Sequence, residues 1–205
     1  MARLWRRKPA AMAEADDGPW LVLGLGNPDD EYGNTRHNAG AMVVTRLAER
    51  AGTRLKRSSR SRAQVAEIRD GDTRVVLARP NSYVNESGGP ASLLARWYKT
   101  PVERIIVVHD EIDLAFGKLQ VRRDGGTAGH NGLKDVAKAL GSPDFLRVRI
   151  GVGRPPGRKD PADYVLEPIG KRDAEDFSVL IERAADATMD LVHLPLERAQ
   201  DRHNH

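Results

Sequence analysis

Residues Leu21 to Gly40 read LVLGLGNPDDEYGNTRHNAG. Leu21, Val22 and Leu23 run into Gly24 and Gly26, the pattern of a buried strand that ends in a turn. Asn27-Pro28 then stands at the carboxyl end of that strand, the edge where open α/β sheets hold their ligands. His37 follows, flanked by Arg36 and Asn38, at the entrance to an amphipathic run. One short segment thus supplies a side-chain amide on a strand tip and a titratable imidazole at a helix start.

Working outward, Val43, Val44, Leu47 and Ala48 give Ala41–Ala51 a helical stripe that Gly52 stops. Ala63–Arg69 and Arg74–Ala78 read as a hairpin joined by Asp70-Gly71-Asp72. The basic run Arg54 to Arg62 reads as an exposed loop before it. A helix is expected over Ala91–Lys99, with Leu94, Trp97 and Tyr98 packing inward and Ser82 or Ser87 as its cap. Arg104–Val108 is β-branched, suits a central strand, and delivers His109 and Asp110. Further strands are expected at Lys118–Arg123 and Phe145–Gly153, and helices at His130–Leu140 and Arg172–Val192. On the last helix Phe177, Leu180, Ile181, Ala184, Thr188 and Leu191 share one face. Strands alternating with helices indicate a single domain of the α/β class. Its expected bounds are residues 19–195, between a disordered tail over 1–18 and a frayed tail over 196–205.

The chain has 205 residues, enough for one real core. It has no cysteine, which removes disulfides, thiolate metal sites and a cysteine nucleophile, and fits a reducing compartment such as the cytoplasm. No apolar run approaches the ~18 residues of a membrane span. Net charge is a modest +4, but the basic residues are grouped: at Arg3–Lys8, at Arg54–Arg62 and over Leu146–Lys159. Such runs are most often solvated faces; three of them around one site favour a polyanionic partner.

A lone histidine is ordinarily structural. His37 gains a catalytic reading because Asp110, on a separate strand end, can orient its imidazole and stabilise the imidazolium while the other ring nitrogen takes a proton from water. A serine nucleophile is disfavoured, since Gly-x-Ser-x-Gly is absent. A dinucleotide fingerprint fails because Asp29 replaces the third glycine. A metal set drawn from His109, Asp110, Glu111, Asp113 and His130 matches no helical zinc spacing. Lys118, Arg122, Arg123, Lys134, Arg147 and Arg149 are the expected phosphate contacts around the cleft. With aromatics at 5%, a reader of backbone and shape fits better than a reader of bases.

The chain resembles bacterial peptidyl-tRNA hydrolases in four ordered blocks. They are Gly24-x-Gly26-Asn27-Pro28 with Tyr32 and Thr35-Arg36-His37-Asn38-x-Gly40, then Arg79-Pro80-Asn81-Ser82-Tyr83-Val84-Asn85-Glu86-Ser87-Gly88, then His109-Asp110-Glu111-Ile112-Asp113-Leu114, then Gly129-His130-Asn131-Gly132-Leu133. Asp29 stands where that family usually has glycine, and Val84 where it usually has methionine. The resemblance implies a single α/β domain with a twisted mixed sheet flanked by helices, and hydrolysis of the ester between a peptide and the 3′-terminal ribose of tRNA, with no cofactor and no metal. His37 would be the base and Asp110 its orienting partner. Asn27, Asn85, Asn131, Tyr32 and Tyr83 would hold the substrate, and Lys118, Arg122, Lys134 and Arg149 the tRNA. The expected partner is peptidyl-tRNA, met by a cytoplasmic monomer that recycles tRNA. Two alternatives remain at this stage: a non-catalytic RNA-binding module on the same fold, and another esterase or amidase using the same His-Asp pair.

Overall fold

The computed structural model describes residues 18–28, 32–123 and 125–204. The expected N-terminal tail and the turn at Asp29 therefore lie outside the described residues, apart from Gly18. Among them run β1 (Trp20–Gly24), α1 (Ala39–Arg50), β2 (Lys56–Ser58), β3 (Ala63–Asp70), β4 (Thr73–Pro80), α2 (Gly88–Tyr98) and β5 (Ile105–Glu111). There follow β6 (Leu119–Arg123), α3 (Asn131–Leu140), β7 (Leu146–Gly151), α4 (Pro161–Leu166), α5 (Ala174–His193) and α6 (Leu196–His203).

The strands form one seven-stranded sheet in the order β2-β3-β4-β1-β5-β7-β6. β1 pairs in parallel with β4 and β5, and β5 with β7, whereas β2, β3 and β6 run antiparallel to their neighbours. The sheet is mixed, as expected. Strand alternation divides the core between its two faces. Val22, Ile106 and Val108 pack with α1 and α5, while Leu21, Leu23 and Val107 pack with α2 and α3. β5 is buried along its whole length, which is why its sequence is an unbroken apolar run until His109. The predicted stripe of α5 from Phe177 to Leu191 is buried throughout. β1, β4, β5 and β7 all point their carboxyl ends to one edge.

Several expectations need correction. The basic run is not wholly a loop: Lys56–Ser58 pairs with β3 as a short edge strand, held by backbone bonds that a polar tripeptide does not advertise. The C-terminus is not frayed. In α6 Ala199 is fully buried, and just beyond it the Asn204 amide accepts from the Val121 N–H (2.7 Å) and donates to the Val121 carbonyl (3.2 Å), satisfying the open edge of β6. Trp97 does not pack inward; it is 57% exposed, because Ala91 and Leu94 take the inner stripe and Trp97 falls off it. Neither Ser82 nor Ser87 caps α2: their hydroxyls bond Glu86 and Val84 carbonyls, and the Gly88 N–H donates instead to Asp135 of α3 (2.7 Å). No helix among the described residues is long and apolar enough to cross a membrane.

Candidate active site

The carboxyl edge of the sheet opens into a cleft of about 560 Å³. Two close approaches build its floor. A Cβ on Gly24 would lie 2.2 Å from the Gly40 carbonyl oxygen, and a Cβ on Gly40 would lie 2.1 Å from the Val108 oxygen, so only glycines let α1 seat on the tips of β1 and β5. The Ala41 N–H donates to Leu25 O (2.9 Å) and the Leu25 N–H to Val108 O (3.0 Å), fixing that junction. A short 3₁₀ turn over Arg36–Asn38 then presents His37 above the end of β5.

His37 Nδ1 lies 2.9 Å from Asp110 Oδ1. His130 Nε2 lies 3.3 Å from the same oxygen. The tautomers follow from the second contact of each ring. His130 Nδ1 accepts from the Leu133 N–H as the cap of α3, so its proton sits on Nε2 and is donated to Asp110. Asp110 has only acceptors when ionised, so His37 donates from Nδ1 and leaves Nε2 as an open lone pair. Burial opposes charge on Asp110, yet the charge of His37 and the donated bonds of both histidines hold its carboxyl well below the usual range. Burial likewise opposes a charged His37, but the Asp110 carboxylate outweighs it and raises the imidazole pKa. His109, fully buried beneath them, is driven neutral by burial first and by His130 second; its Nδ1 bonds the Asp110 carbonyl.

Asn27 is held by its surroundings. Its backbone N–H donates to Asn38 Oδ1 (2.8 Å), Asn38 Nδ2 returns a bond to its carbonyl (3.0 Å), and its own Oδ1 accepts from the Val84 N–H (2.9 Å). An N–H can be met only by the amide oxygen, so the Asn27 NH₂ group is turned to the cleft. Asn85 and Asn131 are exposed cleft residues whose side chains make no hydrogen bond among the described residues. Tyr32 and Tyr83 meet edge to face at 6.5 Å and form one wall. Val84 and Ile112 contribute apolar surface, and α4 adds Val165 and Leu166 opposite.

The structure thus gathers His37, Asp110, Asn27, Tyr32, Tyr83, Asn85 and Asn131 around one cleft. It does not bring the basic residues there. Lys118 stands at the start of β6, exposed; Lys134 is exposed on α3. Arg122 lies level with Val107, three positions short of Asp110, roughly 10 Å along the strand. Arg149 is committed to Glu111 (2.7 Å). Arg147 is only 1% exposed and donates to the Gly126 carbonyl (3.0 Å); a basic residue in a strand between two apolar positions had read as surface, but β6, the glycine-rich loop and Phe145 cover it.

Sequence reasoning missed two parts of the site. His130 is read from sequence as the start of a helix, as part of a family motif and as a possible metal ligand, but not as a partner of Asp110; its place just before a helical run is where a capping side chain stands, and the cap fixes its tautomer. α4 was missed as a wall, although Asp160-Pro161 carries the signature of a cap followed by proline, and Asp160 does accept from the Ala162 N–H (2.8 Å). As for a cation, His37, Asp110 and His130 bring one donor atom each within 4.8 Å of one another. The 2.9 and 3.3 Å contacts of the two rings to Asp110 Oδ1 are met as hydrogen bonds. Of the other suggested ligands, Glu111 pairs with Arg149 and Asp113 with Arg154.

The family model for peptidyl-tRNA hydrolase matches residues 21–205. The chain belongs to the peptidyl-tRNA hydrolase family. It is 54% identical over 189 residues to the peptidyl-tRNA hydrolase of Frankia alni, spanning 92% of this chain and 95% of that one. It is 49% identical to the peptidyl-tRNA hydrolase of Streptomyces avermitilis, again spanning 92% and 95%. Its backbone follows the crystal structure of the Acinetobacter baumannii peptidyl-tRNA hydrolase with a TM-score of 0.84 at 32% identity, over 91% of this chain and 94% of that one. Membership of this hydrolase family agrees with a cleft that carries an oriented imidazole and, among the described residues that line it, no serine, threonine or cysteine.

Proposed function

We propose that this protein hydrolyses the ester joining a peptide to the 3′-terminal ribose of tRNA, with His37 as general base. The observation that carries the reading is the hydrogen-bonded array His37–Asp110–His130 on the floor of a cleft rimmed by uncommitted amide donors. His37 Nε2 removes a proton from water as the oxygen attacks the ester carbonyl carbon. Asp110 holds the ring in place and stabilises the imidazolium, and His130 keeps Asp110 ionised. The tetrahedral oxyanion is met by amide N–H donors, with Asn27 the best ordered of them. The imidazolium then returns its proton to the departing ribose oxygen, so no covalent intermediate forms.

Asn85, Asn131, Tyr32 and Tyr83 hold the ends of the substrate on either side of the ester, and the apolar walls of Val84, Ile112 and α4 receive peptide side chains. Lys118, Arg122 and Lys134 contact phosphates beyond the cleft, and Arg149 positions Glu111 at its rim. One chain supplies the complete constellation, which suits a monomer that recycles tRNA in the cytoplasm. Purified protein should release free tRNA from an N-blocked aminoacyl-tRNA with multiple turnovers. Failure to release it, with tRNA binding intact, would return the protein to the class of RNA-binding modules.

A further inference from the structure

Arg36 is a charged residue that the hydrolytic steps do not use, and it is buried to 7% exposure one position before His37. Its guanidinium carbon lies 4.3 Å from the centre of the Tyr164 ring, and its Nη2 donates to Asp173 Oδ2 (3.2 Å), just before α5. Its Nε is buried without a hydrogen-bond partner among the described residues. Stability alone does not call for this arrangement. A guanidinium taken out of water against one exposed carboxylate gains little over an apolar side chain of the same length. What arginine supplies here is a planar group that stacks on an aromatic face and pairs with a carboxylate at once.

The stack joins two sides of the cleft. Arg36 precedes His37 in the 3₁₀ turn, and Tyr164 precedes Val165 and Leu166 in α4; His37, Val165 and Leu166 all line the cleft. The Tyr164 hydroxyl donates to the Val152 carbonyl (3.4 Å), and the Val152 N–H donates to the Glu111 carbonyl (3.1 Å) at the end of β5. The α4 wall is thus tied to the same strand tip that carries Asp110. Backbone contacts fix the exit of α4: Thr35 bridges Pro168, and the Ile169 N–H donates to the Asn34 carbonyl (2.9 Å). The helix itself has six residues, too few to hold its place without side-chain contacts. We propose that Arg36 is a positioning residue that holds α4 at a set distance from His37, and that this distance determines how large a side chain beside the ester the cleft accepts. The assignment rests on the hydrolase reading above.

The test compares wild type, R36K, R36M and Y164F on N-acetyl-glycyl-tRNA and N-acetyl-phenylalanyl-tRNA. R36M and R36K should each raise KM for the phenylalanyl substrate about three- to tenfold, the scale of one part-buried cation–π contact, and leave its kcat in place. The glycyl substrate has no side chain to meet the wall, so its KM should stay at the wild-type value. Y164F keeps the ring under the guanidinium and should keep the wild-type KM on both substrates. A wild-type KM in R36K would assign the effect to the ion pair with Asp173 and overturn the stack. Equal losses on both substrates, or none on either, would overturn the positioning role. Hydrogen exchange at the Val165 and Leu166 amides, measured on the free proteins, separates the two readings; it should quicken in R36M and R36K and not in Y164F. Wild type that releases no tRNA would defeat the hydrolase reading, whereas equal exchange in wild type and R36M would overturn the hold of Arg36 on α4 whatever the turnover.

Discussion

His37 Nδ1 and Asp110 Oδ1 lie 2.9 Å apart although 73 positions separate them in the chain. The contact exists because β1 and β5 are parallel neighbours and the turn after β1 folds back over both tips. Its chemical effect is on the proton of His37. Burial alone would lower the imidazole pKa, and the carboxylate reverses that. Activity requires the neutral ring, so the acid limb of the wild-type profile should lie above the ordinary histidine value of about 6.5. Asp110→Asn removes the raising charge and keeps the burial. The acid limb of kcat/KM should then move to lower pH, while the rate falls about 10²-fold or more through loss of orientation. A variant whose limb stays where wild type has it would show that Asp110 does not set the base.

Asn27 has its amide oxygen fixed by Val84 and its NH₂ turned to the cleft. Asn27→Asp keeps an acceptor for the Val84 N–H but replaces the donor with a second oxygen. Its melting temperature should stay close to wild type, while kcat falls about 10²-fold. Asn27→Ala should lose both the rate and stability. Full activity in Asn27→Asp would remove this residue from the oxyanion's partners.

His130 caps α3 through one ring nitrogen and serves Asp110 through the other. Asn at this position can cap but cannot span to the carboxylate. His130→Asn should therefore fold normally and lose roughly 10- to 100-fold in kcat, the scale of one hydrogen bond to a charged group. Loss of stability with unchanged kcat would make the residue a cap only.

Gly40 seats α1 on the strand tips, where an added Cβ would meet backbone atoms of Val108 and Leu25 rather than a movable side chain. Gly40→Ala should cost about 1–3 kcal/mol and displace His37, lowering both the melting temperature and kcat. A wild-type melting curve would contradict the packing described for this junction.

Much of this was legible in the sequence, for identifiable reasons. β1 and β5 are apolar runs buried on both faces, and Gly71 between β3 and β4 has the positive φ (57°) its hairpin turn needs. His37, Asp110 and the asparagines stood out because polar residues ended those apolar runs. What was illegible depends on contacts between distant elements. β2 is a polar tripeptide defined only by its pairing to β3, and α6 is a mostly charged helix that offers the core little beyond Ala199 and Leu196, so neither carries an apolar run. Arg147 sits in a basic run yet is covered from another part of the chain. The cap of α2 comes from Asp135 on α3, 47 positions away.

The central claim is that His37 takes the proton from the attacking water. Single-turnover release of tRNA from an N-blocked aminoacyl-tRNA, by wild type and His37→Ala side by side with tRNA binding measured on both, tests it most directly. A rate loss of about 10²–10⁴ with affinity retained is the predicted result. Equal release by both proteins would keep a hydrolase but take His37 out of its centre.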